Sequence, residues 1–287
     1  NSFFDFVSNT AERFLSLSHQ LFLCLTTNEK YNHTLTNPIL TNMENKLYTK
    51  RKTNNIIRCI FISIFTMFGL FVSNVNAQVD VTATGGVNAS YTTLKGAFDQ
   101  INLGTHTGTI SIGISASTSE AASAALNASG IGLASYTSVA ISPTGGGART
   151  ITGAIAGHLI DLNGADNVTI NGLNTGGNSL TISNTALLAS SAIRFIADAS
   201  NNTITNCSLQ GSASTAANGV VLFSTGTVTG NDGNNINHCD IGPAGANTPV
   251  NCIVSTGTAV STNSGNTIDA NNIHDYFNAG LATNGII

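Results

Sequence analysis

The sequence predicts an all-β protein, a right-handed parallel β-helix with one N-terminal capping helix. Three observations carry this. A phrase near the end recurs at a fixed interval: Asn202-Thr203-Ile204, Asn234-Asn235-Ile236 and Asn266-Thr267-Ile268 are each 32 residues apart. Such a period marks a solenoid, in which each repeat buries its apolar face against its neighbours. Short β-branched runs alternate with Gly, Asn, Ser and Thr, the pattern of many short strands joined by tight turns. Within the phrase, Ile204, Cys207 and Leu209 recur as Ile236, Cys239 and Ile241. The three-residue step from Ile to Cys breaks strict alternation, so a corner lies between them. Asn206, Gly172, His238 and Ala270 occupy that corner, where Asn and Gly tolerate positive φ.

The elements follow in order. Residues 1–42 share neither composition nor period with the rest and precede Met43, so they read as an upstream segment outside the native protein. Residues 43–77 form a signal peptide. Lys46, Lys50, Arg51, Lys52 and Arg58 precede the apolar stretch Cys59–Val72, and Val75-Asn76-Ala77 supplies small residues for cleavage after Ala77. The apolar run is short for a membrane span of about 20 residues. The product is expected to be secreted or held on the outer cell surface, with no membrane span after cleavage.

Residues 78–157 are expected to hold the cap and first coils. An entry strand covers Val79–Ala83, closed by Gly85-Gly86. The spacing of Leu94, Ala97, Phe98 and Ile101 predicts a helix over 93–102, with Thr92 or Thr93 as N-cap and Gly104 as terminator. Such a helix would cover the open end of the solenoid, which otherwise leaves strand edges and core bare. Strands follow at Thr109–Ile114, Ser138–Ile141 and Arg149–Thr152, whereas the Ala-rich stretch Ser117–Ser129 reads equally as a helical turn or a loop. Regular coils occupy 158–287. One strand series runs through Ile160, Phe195, Leu222 and Ile253, and another through Ile170, Ile204, Ile236 and Ile268. Each coil therefore holds at least two strands and a long loop. Asn202, Asn234 and Asn266 should stack about 4.8 Å apart, each amide bonding the next.

Composition excludes several functions. Only 8% of residues are charged, against about 25% in ordinary domains. From residue 78 onward only Lys95, Arg149 and Arg194 are cationic, against ten acids, for a formal charge of −7. So few cations cannot neutralise a phosphate backbone, and anionic lipid or anionic polysaccharide is disfavoured likewise. No nucleic-acid partner is expected, and the oligomeric state is not legible.

The Asn-x-Ile-x-x-Cys-x-Ile coils, the lid Tyr91–Phe98 and the phrase Asp161–Ile170 resemble the right-handed parallel β-helix superfamily of pectin-lyase-like proteins. In their low-charge style they resemble β-helical surface proteins secreted by Bacteroidota. The likeness covers residues 78–287. It implies either an adhesin-like module or a polysaccharide lyase or glycoside hydrolase, and, in full-length relatives, a sorting domain for type IX secretion. The chain stops at Ile287 within a strand and reads as a fragment. The phrases expected of polygalacturonases (Asn-Thr-Asp, Asp-Asp, Gly-His-Gly and Arg-Ile-Lys) are absent.

Five residues merit weighing as a site: Asp240, Asp269 and Asp275, with His238 and His274, fall within about one coil of each other. Two carboxylates about 5–9 Å apart would suit glycoside hydrolysis, but corner acids and histidines are ordinarily solvated, and no Arg is at hand to hold substrate. We therefore assign no catalytic, cofactor or metal residues and expect a non-catalytic module, with the carbohydrate-active enzyme as the competing reading and a surface polysaccharide as candidate partner. Cys207, Cys239 and Cys252 are expected as buried thiols acting as small hydrophobes. A disulfide stays open in an exported protein, and zinc shared with His238 is disfavoured because corner and interior side chains point apart. Tyr276-Phe277 is the best candidate for an exposed aromatic platform.

Overall fold

The strands close into coils of three, where the sequence predicts at least two. The computed structural model describes residues 77–287, together with Lys46 and Lys50. The expectations for residues 1–42 and for the signal peptide therefore lie outside the described residues, apart from Ala77 and those two lysines.

The first coil comprises β3 (His106–Ile114), β4 (Thr118–Glu120) and β5 (Ala124–Asn127), and the second β6 (Tyr136–Pro143), β7 (Ala148–Gly153) and β8 (His158–Asn163). The third comprises β9 (Val168–Asn171), β10 (Ser179–Asn184) and β11 (Ser191–Ile196), and the fourth β12 (Thr203–Thr205), β13 (Cys207–Gly211) and β14 (Val221–Phe223). The fifth has β15 (Asn235–Asn237), β16 (Asp240–Pro243) and β17 (Asn251–Ser255). The sixth has β18 (Thr267–Asp269), β19 (Asn272–Ile273) and β20 (Asn284–Ile286). First, second and third strands of successive coils pair in parallel, which makes three sheets.

The open stretch Ser117–Ser129 is resolved as two strands, β4 and β5, whose inward Ala124 and Leu126 are fully buried. In the last three coils the second sheet follows the first after only one or two residues, the first of them a corner. Asn206, His238 and Ala270 are those corners, with φ of 55°, 51° and 53°. Gly172 departs from the expectation. It lies outside the left-handed region, and in its coil Leu173 and Asn174 take φ of 66° and 50°. A Cβ at Gly172 would come 2.0 Å from the Asn206 carbonyl oxygen, so this glycine serves close approach between coils.

Inside, like stacks on like. Ile112, Ile141, Ile170, Ile204, Ile236 and Ile268 pair in one continuous register through the first sheet. The Asn ladder forms as expected. The Asn202 amide donates to Asn234 Oδ1 at 2.9 Å, and the Asn234 amide to Asn266 Oδ1 at 3.1 Å. Two further ladders, Asn231–Asn263 and Asn251–Asn284, escaped notice in the sequence although their members lie 32 and 33 residues apart.

The start of the solenoid is sealed. Strand β1 (Val79–Gly86) adds antiparallel to β3, and β2 (Ala89–Tyr91) adds antiparallel to β1. Helix α1 (Leu94–Asn102) buries Leu94, Ala97, Phe98 and Ile101. Thr93 is its N-cap, accepting from the Gly96 N–H at 3.0 Å, and Gly104 follows its end at φ 72°. The helix is clamped at both ends. Glu120, 3% exposed on β4, accepts from the N–H groups of Leu94 (2.9 Å) and Lys95 (3.0 Å). A buried carboxylate is tolerated there because the helix N-terminus supplies orphan donors and partial positive charge. At the other end, the Asn102 amide donates to the Ala125 carbonyl at 2.9 Å and its Oδ1 accepts from the Asn127 N–H at 3.0 Å, so one side chain stands in for a neighbouring strand. Replacing Glu120 with alanine is expected to cost about 2 kcal/mol and to raise hydrogen exchange in residues 94–101; unchanged exchange there would refute the clamp.

Candidate surface cluster on the fifth and sixth coils

Asp240 opens β16 between the inward Cys239 and Ile241, so strand alternation turns its carboxylate outward. Asn272 on β19 is its in-register neighbour and donates to Asp240 Oδ1 at 2.6 Å. Two residues further on, His274 falls on the same face. A Cβ at Gly242 would lie 2.6 Å from His274 Cε1, so the imidazole packs over bare backbone. Its Nε2 is 3.3 Å from Asp240 Oδ1 and its Nδ1 is 2.8 Å from Asp275 Oδ2. The hydrogen bond to Asp275 and the charge of Asp240 together raise the His274 pKa above the usual histidine value. The protonated ring directs both N–H groups at carboxylates.

Of the five weighed residues, the structure thus joins Asp240, His274 and Asp275. His238 sits at its corner with Nδ1 3.1 Å from Asn237 Oδ1, and its N–H meets the Asp269 carbonyl at 3.3 Å. Asp269 ends β18 opposite Asn237, in the first sheet rather than the second. Asn272 and Gly242 complete the cluster and were missed, although Asn272 follows Asp240 by one 32-residue period.

The geometry suits acid–base hydrolysis poorly. The ring fills the space between Asp240 and Asp275 that a glycosidic oxygen and a water would need. Among residues 78–287 each cation is engaged within the fold. Lys95 pairs with Asp99 at 2.6 Å, and Arg194 grips Asp161 through two bonds of 2.8 and 2.7 Å. The Arg149 guanidinium donates to the carbonyls of Thr144 and Ala148 at 3.0 and 3.3 Å. Burial and the Arg194 charge push neighbouring His158 down to about 4.

The carboxylate with the densest set of donors is also taken internally. Asp198 accepts from the N–H groups of Thr227, Val228, Thr229 and Gly230 and from the Thr227 hydroxyl. Burial works against its charge, but these bonds outweigh it and depress the pKa well below the usual carboxylate range. It is a clasp that ties a loop down.

Cys207 and Cys239 stack inward as free thiols, each 3.2 Å from the carbonyl just before its corner (Thr205 and Asn237), and Cys252 is buried and free. Mutual hydrogen bonding and burial raise Cys207, and burial pushes Cys252 up to about 12, so both are protonated and inert. Among the described residues no group of His, Cys, Asp or Glu is arranged to hold a metal, and no helix is long and apolar enough to cross a membrane. The aromatic pair divides. Tyr276 packs against the core, while Phe277 is 63% exposed with its backbone pinned by bonds to Pro249 (3.0 Å) and Thr248 (2.9 Å).

Comparison with known proteins returned no match: no family model, curated protein or solved structure aligns significantly with this chain.

Proposed function

We propose that this chain is a secreted or cell-surface β-helix module without catalytic activity, adhesin-like or structural, wound right-handedly in the manner of pectin-lyase-like proteins. The observation that carries this reading is the internal commitment of the cations in residues 78–287. Lys95, Arg149 and Arg194 are each bound within the fold, and the carboxylates of the candidate cluster are bound to one imidazole. Beside exposed carboxylates such as Asp269, the surface offers a partner uncharged groups: exposed and half-exposed Thr, Ser and Asn side chains and the ring of Phe277. That chemistry favours a neutral surface polysaccharide, met by hydroxyl and amide hydrogen bonds with one aromatic contact. Export by a signal peptide cleaved after Ala77, as in secreted Bacteroidota β-helix proteins, accords with it.

The test is incubation of the purified protein with plant and algal polysaccharides, neutral and anionic. Retention by neutral polymers in affinity electrophoresis, insensitive to salt, without release of unsaturated or reducing ends, is the expected result. Reproducible release of such ends, abolished by Asp240→Ala or Asp269→Ala, would establish a carbohydrate-active enzyme instead.

A further inference from the structure

In the second sheet the sixth coil is held to the fifth by little backbone, although strands β18 and β20 pair with β15 and β17 in the other two sheets. Strand β19 has two residues, and its ladder near the cluster consists of Asn272 N–H to Cys239 O at 2.9 Å and His274 N–H to Ile241 O at 3.1 Å. Side chains supplement it. The Cys239 N–H donates to Asn271 Oδ1 at 2.8 Å, and Asn272 and His274 both reach back to Asp240. Of these side-chain ties, the one through His274 is ionisable at near-neutral pH.

We infer that His274 is a pH-operated latch, its imidazole closing the sixth coil onto Asp240 of the fifth when protonated and easing that contact when neutral. The groups facing it are few. Asp240 approaches from β16, and Asp275 from the turn that follows His274. From β17, the Cys252 thiol lies 3.8 Å from the His274 carbonyl oxygen, and Gly242 presents only backbone to the ring. Both charged neighbours are carboxylates, so they favour the imidazolium, in agreement with the raised pKa. The sign follows. A histidine whose folded pKa is raised contributes stability that is fully present below its unfolded value of about 6.5, and this is lost as pH rises through the folded value. A neutral ring keeps one N–H and can donate to only one of the two carboxylates. The latch then loosens, and with it the segment carrying Tyr276 and Phe277.

The test uses the whole chain. Amide exchange, corrected for its intrinsic pH dependence, is measured at pH 6 and pH 9, and the His274 imidazole is titrated by NMR. Exchange at Asn272 and His274 is expected to speed up by about twofold to fivefold at the higher pH, the range of an exposed ion pair. His274→Gln, which can hydrogen-bond but not titrate, should show no such difference, and Asp240→Asn should lower the imidazole titration midpoint. The inference is overturned if His274 titrates at or below the value of an unstructured histidine, if Asp240→Asn leaves the midpoint unmoved, or if the pH effect persists in His274→Gln. Should His274→Gln open the sixth coil at both pH values, the titrations of the wild-type and Asp240→Asn proteins decide.

Discussion

Replacing Phe195 with alanine is expected to destabilise the protein by about 3–5 kcal/mol. Phe195 lies at the centre of the third sheet, fully buried, with its ring stacked on Phe223 of the next coil at 4.7 Å between centroids and 9° between planes. Leu162 is its in-register neighbour in the preceding coil. The cost has two parts, the transfer of the ring's apolar surface and the cavity that remains. Loss of the aromatic pair adds about 0.5–1.5 kcal/mol of that total. The cavity cannot collapse readily, because every coil above and below is fixed at the strand spacing by its own ladder. Phe195→Leu keeps most of the volume and should cost under about 1.5 kcal/mol. Urea unfolding of the three proteins is the measurement. A Phe195→Ala cost no larger than that of the exposed Phe277→Ala would show that the stacked interior does not carry the fold.

Asn234→Ala is expected to cost about 3 kcal/mol, and Asn266→Ala about 1 kcal/mol. Asn234 is the middle rung of its ladder. Its Oδ1 accepts from the N–H and the side-chain amide of Asn202, at 3.0 and 2.9 Å. Its own amide donates to Ala199 O at 3.0 Å and Asn266 Oδ1 at 3.1 Å. Truncation strands the two Asn202 donors and the Ala199 carbonyl where water has little access, since Asn202 is fully buried. Asn266 is half-buried, so water can replace what its side chain provides. Equal costs at the two positions would refute the argument, because Asn234 is more deeply buried and also makes four side-chain bonds against three for Asn266. Thermal and urea unfolding, with hydrogen exchange across residues 199–237 to localise the damage, would resolve it.

The candidate cluster illustrates how little of a surface site a sequence can show. Asp240, Asp269, Asp275, His238 and His274 look alike at a distance of one coil. Yet a single left-handed corner residue sends Asp269 to one sheet and Asp240 to another. His274 meets Asp240 because Gly242 leaves room for its ring, a role that no spacing rule assigns to glycine. Glu120 is a similar case. It lies 26 residues from Leu94, in a stretch whose Ala and Ser content conceals two strands, and it was not singled out.

What could be read without coordinates was the most regular part of what repeats. A parallel stack places equivalent side chains over one another, so the period of 32, the isoleucine column, the Asn202–Asn234–Asn266 ladder and the buried thiols are all local regularities of the chain. The capping helix was legible for the same reason, because its apolar spacing and its caps are contained within about ten residues. Only the tertiary structure decided the third strand of each coil, the hold of Glu120 and Asn102 on the lid, and the engagement of each cation in residues 78–287. The lid contacts join residues that share no period, so their partners are chosen by where the coils bring them rather than by any pattern along the chain.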